Sequence, residues 1–247
     1  MQSKRSNTFA AATLLLAGCA VGAAAQEVVP LKEAKLNIEH NATDSDTGIQ
    51  GFVDSEGWQS LLVTGPEGEV LRFEGLGKLH QLGLTELFFE TVEPLNADVP
   101  LDTMLSTLPE GEYRFEGVTI EAGKGGGQTT GVALLTHDIP AGPELLTPAA
   151  DASVPAGALQ VSWRPVDKTI TGGDVSIIAY QLIVEKDLPP HPNMIGKFGL
   201  SMYLAPTVTQ VELPEGFLEA GTAYKWEVLA IEESGNQTLS SAAFSTQ

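Results

Sequence analysis

The chain has 247 residues, with 32 acidic against 13 basic side chains, a formal net charge of −19 and a single cysteine. Such a field opposes nucleic acid and anionic headgroups, whose recognition rests on Lys and Arg neutralising phosphates, and one cysteine excludes an intrachain disulfide or a cysteine-based metal cluster. The acidic residues are scattered rather than run together, which is the pattern of a solvated surface and not of an acidic tail.

The first elements in chain order are export signals. Lys4 and Arg5 precede an apolar run from Phe9 through Leu14, Leu15 and Leu16 to Ala17, followed by small residues. This reads as a signal peptide over 1–25, because the run is shorter than the about 20 residues a membrane span needs. Two processing sites compete. Leu16-Ala17-Gly18-Cys19 resembles the lipobox of bacterial lipoproteins, a resemblance that implies acylation of Cys19, a membrane contact made only through the lipid and, with Ala20 after the cysteine, an outer-membrane location. Ala23-Ala24-Ala25 also satisfies the small-residue rule for ordinary cleavage, which would leave a periplasmic or extracellular protein. Removing Lys4 and Arg5 takes the 13 basic residues to 11 against 32 acidic, a mature charge of −21. The remaining length suits two domains of about 100 residues, each with its own core.

Residues 26–34 read as a tether and 35–139 as an N-terminal domain. Leu36 and Ile38 alternate with polar neighbours and open a strand; Asn41 to Gly48 is a turn cluster, and Ile49 to Val53 a second short strand. Trp58 to Thr64, the turn Gly65-Pro66-Glu67-Gly68 and Glu69 to Phe73 form a hairpin. Leu84 to Val92, with Phe88 and Phe89 adjacent, predicts a strand packed on both faces. Leu101, Met104, Leu105 and Leu108 recur at helical spacing and predict one short helix. Leu108, Gly111, Tyr113 and Phe115 then open a strand, Gly123 to Gly127 make a hairpin loop, and Gly131 to Thr136 end the domain.

The same order returns near the C-terminus. Leu218, Gly221 and Tyr224 lead into Trp226, Val228 and Ala230 at every second position, a loop feeding a strand with one buried face. A tyrosine at the start of such a strand can bury its ring while its hydroxyl bonds back to the preceding corner, the tyrosine corner of Ig-like sandwiches. The shared Leu, Gly, Tyr and aromatic order predicts two tandem sandwiches of related architecture.

His137 to Pro143, rich in proline and glycine, marks the boundary, and 140–247 is the second domain. Trp163 in Leu159-Gln160-Val161-Ser162-Trp163, Tyr180 in Tyr180-Gln181-Leu182-Ile183-Val184, and Leu218, Gly221, Thr222 and Tyr224 stand in the order of the fibronectin type III signatures, and from Pro143 onward the chain resembles that family. Ala220 replaces the usual proline, the 186–193 region is enlarged, and no Arg-Gly-Asp loop is present. The resemblance implies a sandwich in which Trp163, Tyr180, Leu218, Gly221 and Tyr224 are structural, and a binding module or spacer; fold alone licenses no more.

Candidate chemistry is sparse. Asp44, Asp46 and Asp54 are the best set for calcium, which takes six to eight oxygens, although Asp, Asn, Ser, Thr and Gly are equally what a plain turn needs. Glu86, Glu90 and Glu93 flank the phenylalanine strand, but Glu86 and Glu90 would lie about 13 Å apart on one face at about 3.3 Å per residue, too far for paired-carboxylate hydrolysis. His40, His80, His137 and His191 lack zinc spacing, though His40 and His137 could approach one another. No nucleophile elbow and no phosphate loop occur, so no catalytic residue is assigned. In the enlarged loop three prolines limit the entropy lost on binding, and Met194, Ile195 and Phe198 either form a contact patch or fold back over the sandwich.

The sequence therefore predicts an all-β, non-enzymatic exported module of the bacterial cell envelope, built from two tandem Ig-like or fibronectin type III-like β-sandwiches with one short helix in the first. It would engage a protein partner in the envelope and use no cofactor unless calcium binds at the Asp44 loop. The alternatives are a calcium-dependent adhesion or matrix protein and a carbohydrate-active accessory protein.

Overall fold

A computed structural model describes residues 28–120 and 126–247. Among these the chain is all-β apart from two short helices. The first unit contains β1 (Val28–Pro30), β2 (Glu33–Asn41), β3 (Asp46–Gly65), β4 (Gly68–Glu74), α1 (Lys78–Leu82), β5 (Leu84–Glu90), α2 (Leu101–Leu105), β6 (Gly111–Thr119) and β7 (Gly127–Leu135). The second contains β8 (Leu145–Thr147), β9 (Ala152–Val154), β10 (Gln160–Trp163), β11 (Ile177–Lys186), β12 (Gly199–Leu204), β13 (Gln210–Glu212), β14 (Ala223–Glu232) and β15 (Gln237–Thr246).

The two units share one pairing plan. In the second, β8, β10 and β13 form one layer, and β9, β15, β14, β11 and β12 follow one another in the opposing layer, β9 joining β15 in parallel. In the first, β2, the front of β3 and β5 form one layer, while β1, β7, β6, the back of β3 and β4 form the other, β1 joining β7 in parallel. Opposed layers with inward alternation bury one face of each strand. Each unit accordingly has its own core, one around Trp58, Tyr113 and Phe115 and the other around Trp163, Tyr180 and Trp226.

Both corners close as the aromatic order predicts. The Tyr224 hydroxyl accepts a hydrogen bond from Glu219 N at 2.8 Å, and its ring stacks on Phe244 with centroids 5.4 Å apart. Gly221, at φ 66°, takes the left-handed turn that a side chain would resist. In the first unit the Tyr113 hydroxyl donates to the Pro109 carbonyl at 2.8 Å. Trp163 meets Tyr180 edge to face at 5.6 Å, and Leu218 is buried beside them in the same core.

Several local expectations are corrected. Residues 28–30, within the expected tether, form β1 on the edge of β7. The two strands expected at Ile49–Val53 and Trp58–Thr64 are one strand, β3, whose register shifts between Asp54 and Trp58 as it passes from one layer to the other. Strand β5 is packed on one face only: Phe89 turns inward to meet Phe73 at 5.2 Å, and Phe88 is 58% exposed. It is so because successive strand side chains alternate and the outer face of β5 has no covering layer. Helix α2 stops at Leu105, and α1 falls where no helix is predicted. Of the hairpin loop expected at Gly123 to Gly127, residues 123–125 lie outside the described residues and Gly127 begins β7.

What the tandem pattern does not foretell is the joint. The end of β2 pairs in parallel with the start of β15, Glu39 with Gln237 and Asn41 with Leu239, so that one sheet runs through both units. Asn236, 1% exposed, holds this seam. Its side-chain oxygen accepts from Ile38 N at 2.8 Å, and its amide nitrogen donates to the Thr136 and Asp138 carbonyls at 2.9 and 3.2 Å. One amide thus ties the β14–β15 turn to β2 and to the interdomain linker. Thr238 adds a bond to the Pro140 carbonyl at 2.6 Å, and Ser241 N donates to the Thr43 hydroxyl at 2.8 Å. The buried Glu232 carboxylate shapes the turn by accepting from Ser234 N and Asn236 N at 2.8 and 3.0 Å.

Replacing Asn236 with Ala leaves buried donors and acceptors unpaired, which costs about 2–3 kcal/mol. The expected outcome is a melting temperature lower by about 4–12 °C and faster protease cleavage within 136–143; an unchanged melt and cleavage pattern would remove Asn236 from this role.

Candidate functional site

The joint creates a concave feature, a groove of about 830 Å³ on the outer face of the shared sheet. Register explains its lining. Lys35 opposes Phe52, Phe52 opposes Phe88, Asn37 opposes Gln50, and Gln50 opposes Glu90. Directly opposed residues share a face, so these side chains stand together on the side of β2, β3 and β5 that is turned away from the first core. Strand β7 contributes Val132 and Leu134, and the second unit contributes Ile178, Ile231 and Tyr203. Tyr203, on the outermost strand β12, is 70% exposed.

Beside the groove lies a carboxylate cluster. Glu39, Glu90 and Glu93 each bring an oxygen within 4.8 Å of the others. Two groove residues form the wall between them and the apolar floor: Gln50 Nε2 donates to Glu90 Oε1 at 2.8 Å, and Gln237 Nε2 donates to Glu39 and, at 2.9 Å, to Gln50 Oε1. Gly48 lies beneath Glu93, and a Cβ built there would stand 2.6 Å from Glu93 Cγ; the missing side chain is what lets Glu93 pack down on the sheet. No Lys or Arg of the described residues forms an ion pair with the three.

The uncompensated charge is visible in the acidities. Burial, reinforced by repulsion from Glu39, Glu90 and Asp46, pushes the Glu93 carboxyl up to about 7. Burial also raises Glu39, against the lowering effect of its bond from Gln237. Three carboxylates carry six oxygens, and two of these already accept hydrogen bonds from Gln50 and Gln237, which leaves fewer than the six to eight that calcium takes. It is a hollow of negative charge rather than a complete cation cage.

The residues singled out in the sequence fall elsewhere. Asp44 lies in a turn built by Asn41, whose side-chain oxygen accepts from Thr43 N and Asp44 N at 3.0 Å while its amide donates to Asp44 Oδ2 at 3.0 Å. Asp46 begins β3, and Asp54 stands eight residues along the same strand, about 26 Å away at about 3.3 Å per residue. The three aspartates do not converge, because an extended strand separates what the sequence lists as neighbours. Met194, Ile195 and Phe198 are exposed rather than folded over the sandwich; Phe198 lies under Lys186 Nζ at 5.6 Å. They sit beyond the start of β12, while Tyr203 of the groove is near its end. Nor do His40 and His137 form a pair. His40 Nδ1 bonds the Thr47 hydroxyl at 2.9 Å, and His137 Nε2 bonds the Leu108 carbonyl at 2.9 Å. Cys19 lies outside the described residues. Sequence reasoning noticed Glu90 and Glu93 but had no local signal for Glu39, which reaches them only because β3 lies between β2 and β5.

The strand order defines the class as a tandem of Ig-like sandwiches. No protein-family model matches the chain, and no curated protein matches it. Among solved structures it is similar to a two-domain fibronectin type III segment of chicken tenascin, at 12% identity, over 86% of this chain and 97% of that one, with a TM-score of 0.30. A crystal structure of chicken CNTN1 domains FN1–FN3 is similar at 11% identity, over 88% of this chain and 67% of that one, with a TM-score of 0.32. Superposition at that level carries no argument about function, and the class rests on the pairing plan above.

The raised acidity of Glu93 has a definite sign. A carboxyl that holds its proton more tightly in the folded than in the unfolded state contributes stability that is complete below its ordinary value of 4.5 and is lost as pH rises through about 7. Glu93→Gln is therefore expected to melt like the wild type at pH 4.5 and above it at pH 8; equal melts at both pH values would show that burial and repulsion do not raise this carboxyl.

Proposed function

We propose that the protein is a non-enzymatic binding module, exported and held at a membrane surface in the cell envelope by acyl chains on Cys19, with the joint groove as its binding face. The observation that supports this most directly is the coupling of the two units: a seam of backbone pairing and buried amide bonds fixes the groove walls before any partner arrives, which reduces the ordering cost of association. Exposed Phe88, Val132, Leu134, Ile178 and Tyr203 on one concave face are unusual for an isolated surface, and such patches mark interaction sites.

The carboxylate cluster does not favour a hydrolase. Glycoside hydrolysis needs two carboxyl groups astride the bond, about 5–9.5 Å apart. Here the three oxygens crowd within 4.8 Å and Glu39 is buried, which leaves no space for a sugar between them.

Two measurements test this reading. Cys19→Ser should move the protein from the detergent to the aqueous phase on partitioning; if the wild type is already aqueous, ordinary cleavage after Ala25 holds and the anchor does not. A photo-cross-linking residue placed at Phe88 or at Tyr203 should capture the same species in intact cells, and one at Leu79, exposed on α1, should not. Equal capture at Leu79 would show that the groove is not the binding face.

A further inference from the structure

Building on the binding-face reading above, the groove and the cluster together specify what kind of partner fits. The floor is apolar, through Phe52, Phe88, Val132, Leu134, Ile178 and Tyr203. On one side the groove is lined by Gln50 and Gln237, which donate to Glu90 and Glu39 of the cluster. The charges around the groove are mainly acidic: Glu33, Glu233 and the cluster stand against Lys35, which is itself paired with Glu33. A second copy of this chain would bring the same acidic rim against it, and like charges in juxtaposition oppose docking. A divalent ion alone would answer the carboxylates and leave the aromatic floor in water.

We propose that the groove seats an extended polypeptide segment of a partner, in which a lysine or arginine enters the hollow between Glu39, Glu90 and Glu93 while flanking apolar residues cover Phe52, Phe88 and Tyr203. The cation supplies the charge that no Lys or Arg of the described residues brings to the cluster, and a long basic side chain can lay its methylene stem along apolar surface while its head reaches the carboxylates. Gln50 and Gln237 hold Glu39 and Glu90 in place from the groove side, so the acceptors are positioned before the cation arrives. Complementary charge then selects the partner, and the apolar contacts retain it.

The test is selection of a random dodecapeptide phage library on the full mature chain, on the Glu90→Gln/Glu93→Gln double variant and on Phe88→Ser, each first shown to melt cooperatively. Phe88 and Glu90 are exposed and Glu93 is partly so, which makes loss of the fold an unexpected result. The expected outcome is enrichment of peptides with Lys or Arg between apolar residues. A synthesised member should bind about tenfold more weakly to the double variant, which is about 1.4 kcal/mol, and not measurably to Phe88→Ser. Peptides that need Phe88 but bind the double variant as well as the wild type would overturn the cation while leaving the groove as the binding face. Selection that yields nothing, or only peptides indifferent to both sites, would overturn the groove as well. Calcium that raises the wild-type melting temperature and displaces the peptide, with both effects absent in the double variant, would make the cluster a divalent-cation site and overturn the proposal. Sedimentation as a dimer that Phe88→Ser dissociates would identify the occupant as a second copy, with the same consequence.

Discussion

The arrangement of the molecule depends on the side-chain amide of Asn236. A primary amide offers one acceptor and two donors in a plane, and here they meet three backbone groups on two separate pieces of chain: Ile38 N in the first unit and the Thr136 and Asp138 carbonyls in the linker. Because the site is buried, each of these backbone groups would be costly to leave unpaired. The amide therefore specifies one relative placement of the two sandwiches. The parallel pairing of β2 with β15 follows from that placement and extends it, since Gln237, next in sequence, is already in register with Glu39.

Continuity of the sheet changes what its outer face can be. In a string of separate sandwiches each domain keeps its own surface, and clefts between them open and close as the linker moves. Here backbone hydrogen bonds cross the boundary, and the outward side chains of β2, β3 and β5 stand on the same face as those of β11, β12 and β14. The apolar residues that no core covers, Phe88 in the first unit and Tyr203 in the second, line one groove. Neighbouring carboxylates, Glu39 buried and Glu90 exposed, are held at its side by glutamines from both units.

The two sandwiches reach the same pairing plan by different local means. In the second unit, β10 and β11 are separate strands, with a long connection between Trp163 and Ile177; in the first, the equivalent pair is the single strand β3, which passes between layers at its register shift. The feature they share, a central strand paired on both sides, is what brings Glu39 and Glu90 close. Strand β3 enters the layer between β2 and β5 and presents the small Gly48 where Glu93 settles.

Much of this fold is legible in the chain itself. Period-two alternation around Trp226 and Phe115, the Leu, Gly, Tyr order before both strands, and the prolines at 140 and 143 report local physics: which side chains share a face, where a left-handed turn is needed and where a strand must stop. These determine an all-β tandem with tyrosine corners and the structural roles of Trp163, Tyr180, Leu218, Gly221 and Tyr224. The joint, the groove and the carboxylate cluster were settled only by tertiary structure. Asn236 in Ser234-Gly235-Asn236 has the composition of any hairpin turn, Phe88 has the composition of a buried strand, and Glu39 is far in sequence from Glu90. Their meaning comes from pairing between distant strands, and the hydrogen bonds that hold those strands together are made by backbone groups and by Asn236, Thr238 and Thr43 side chains that equally suit a plain turn or strand, so no residue type announces them.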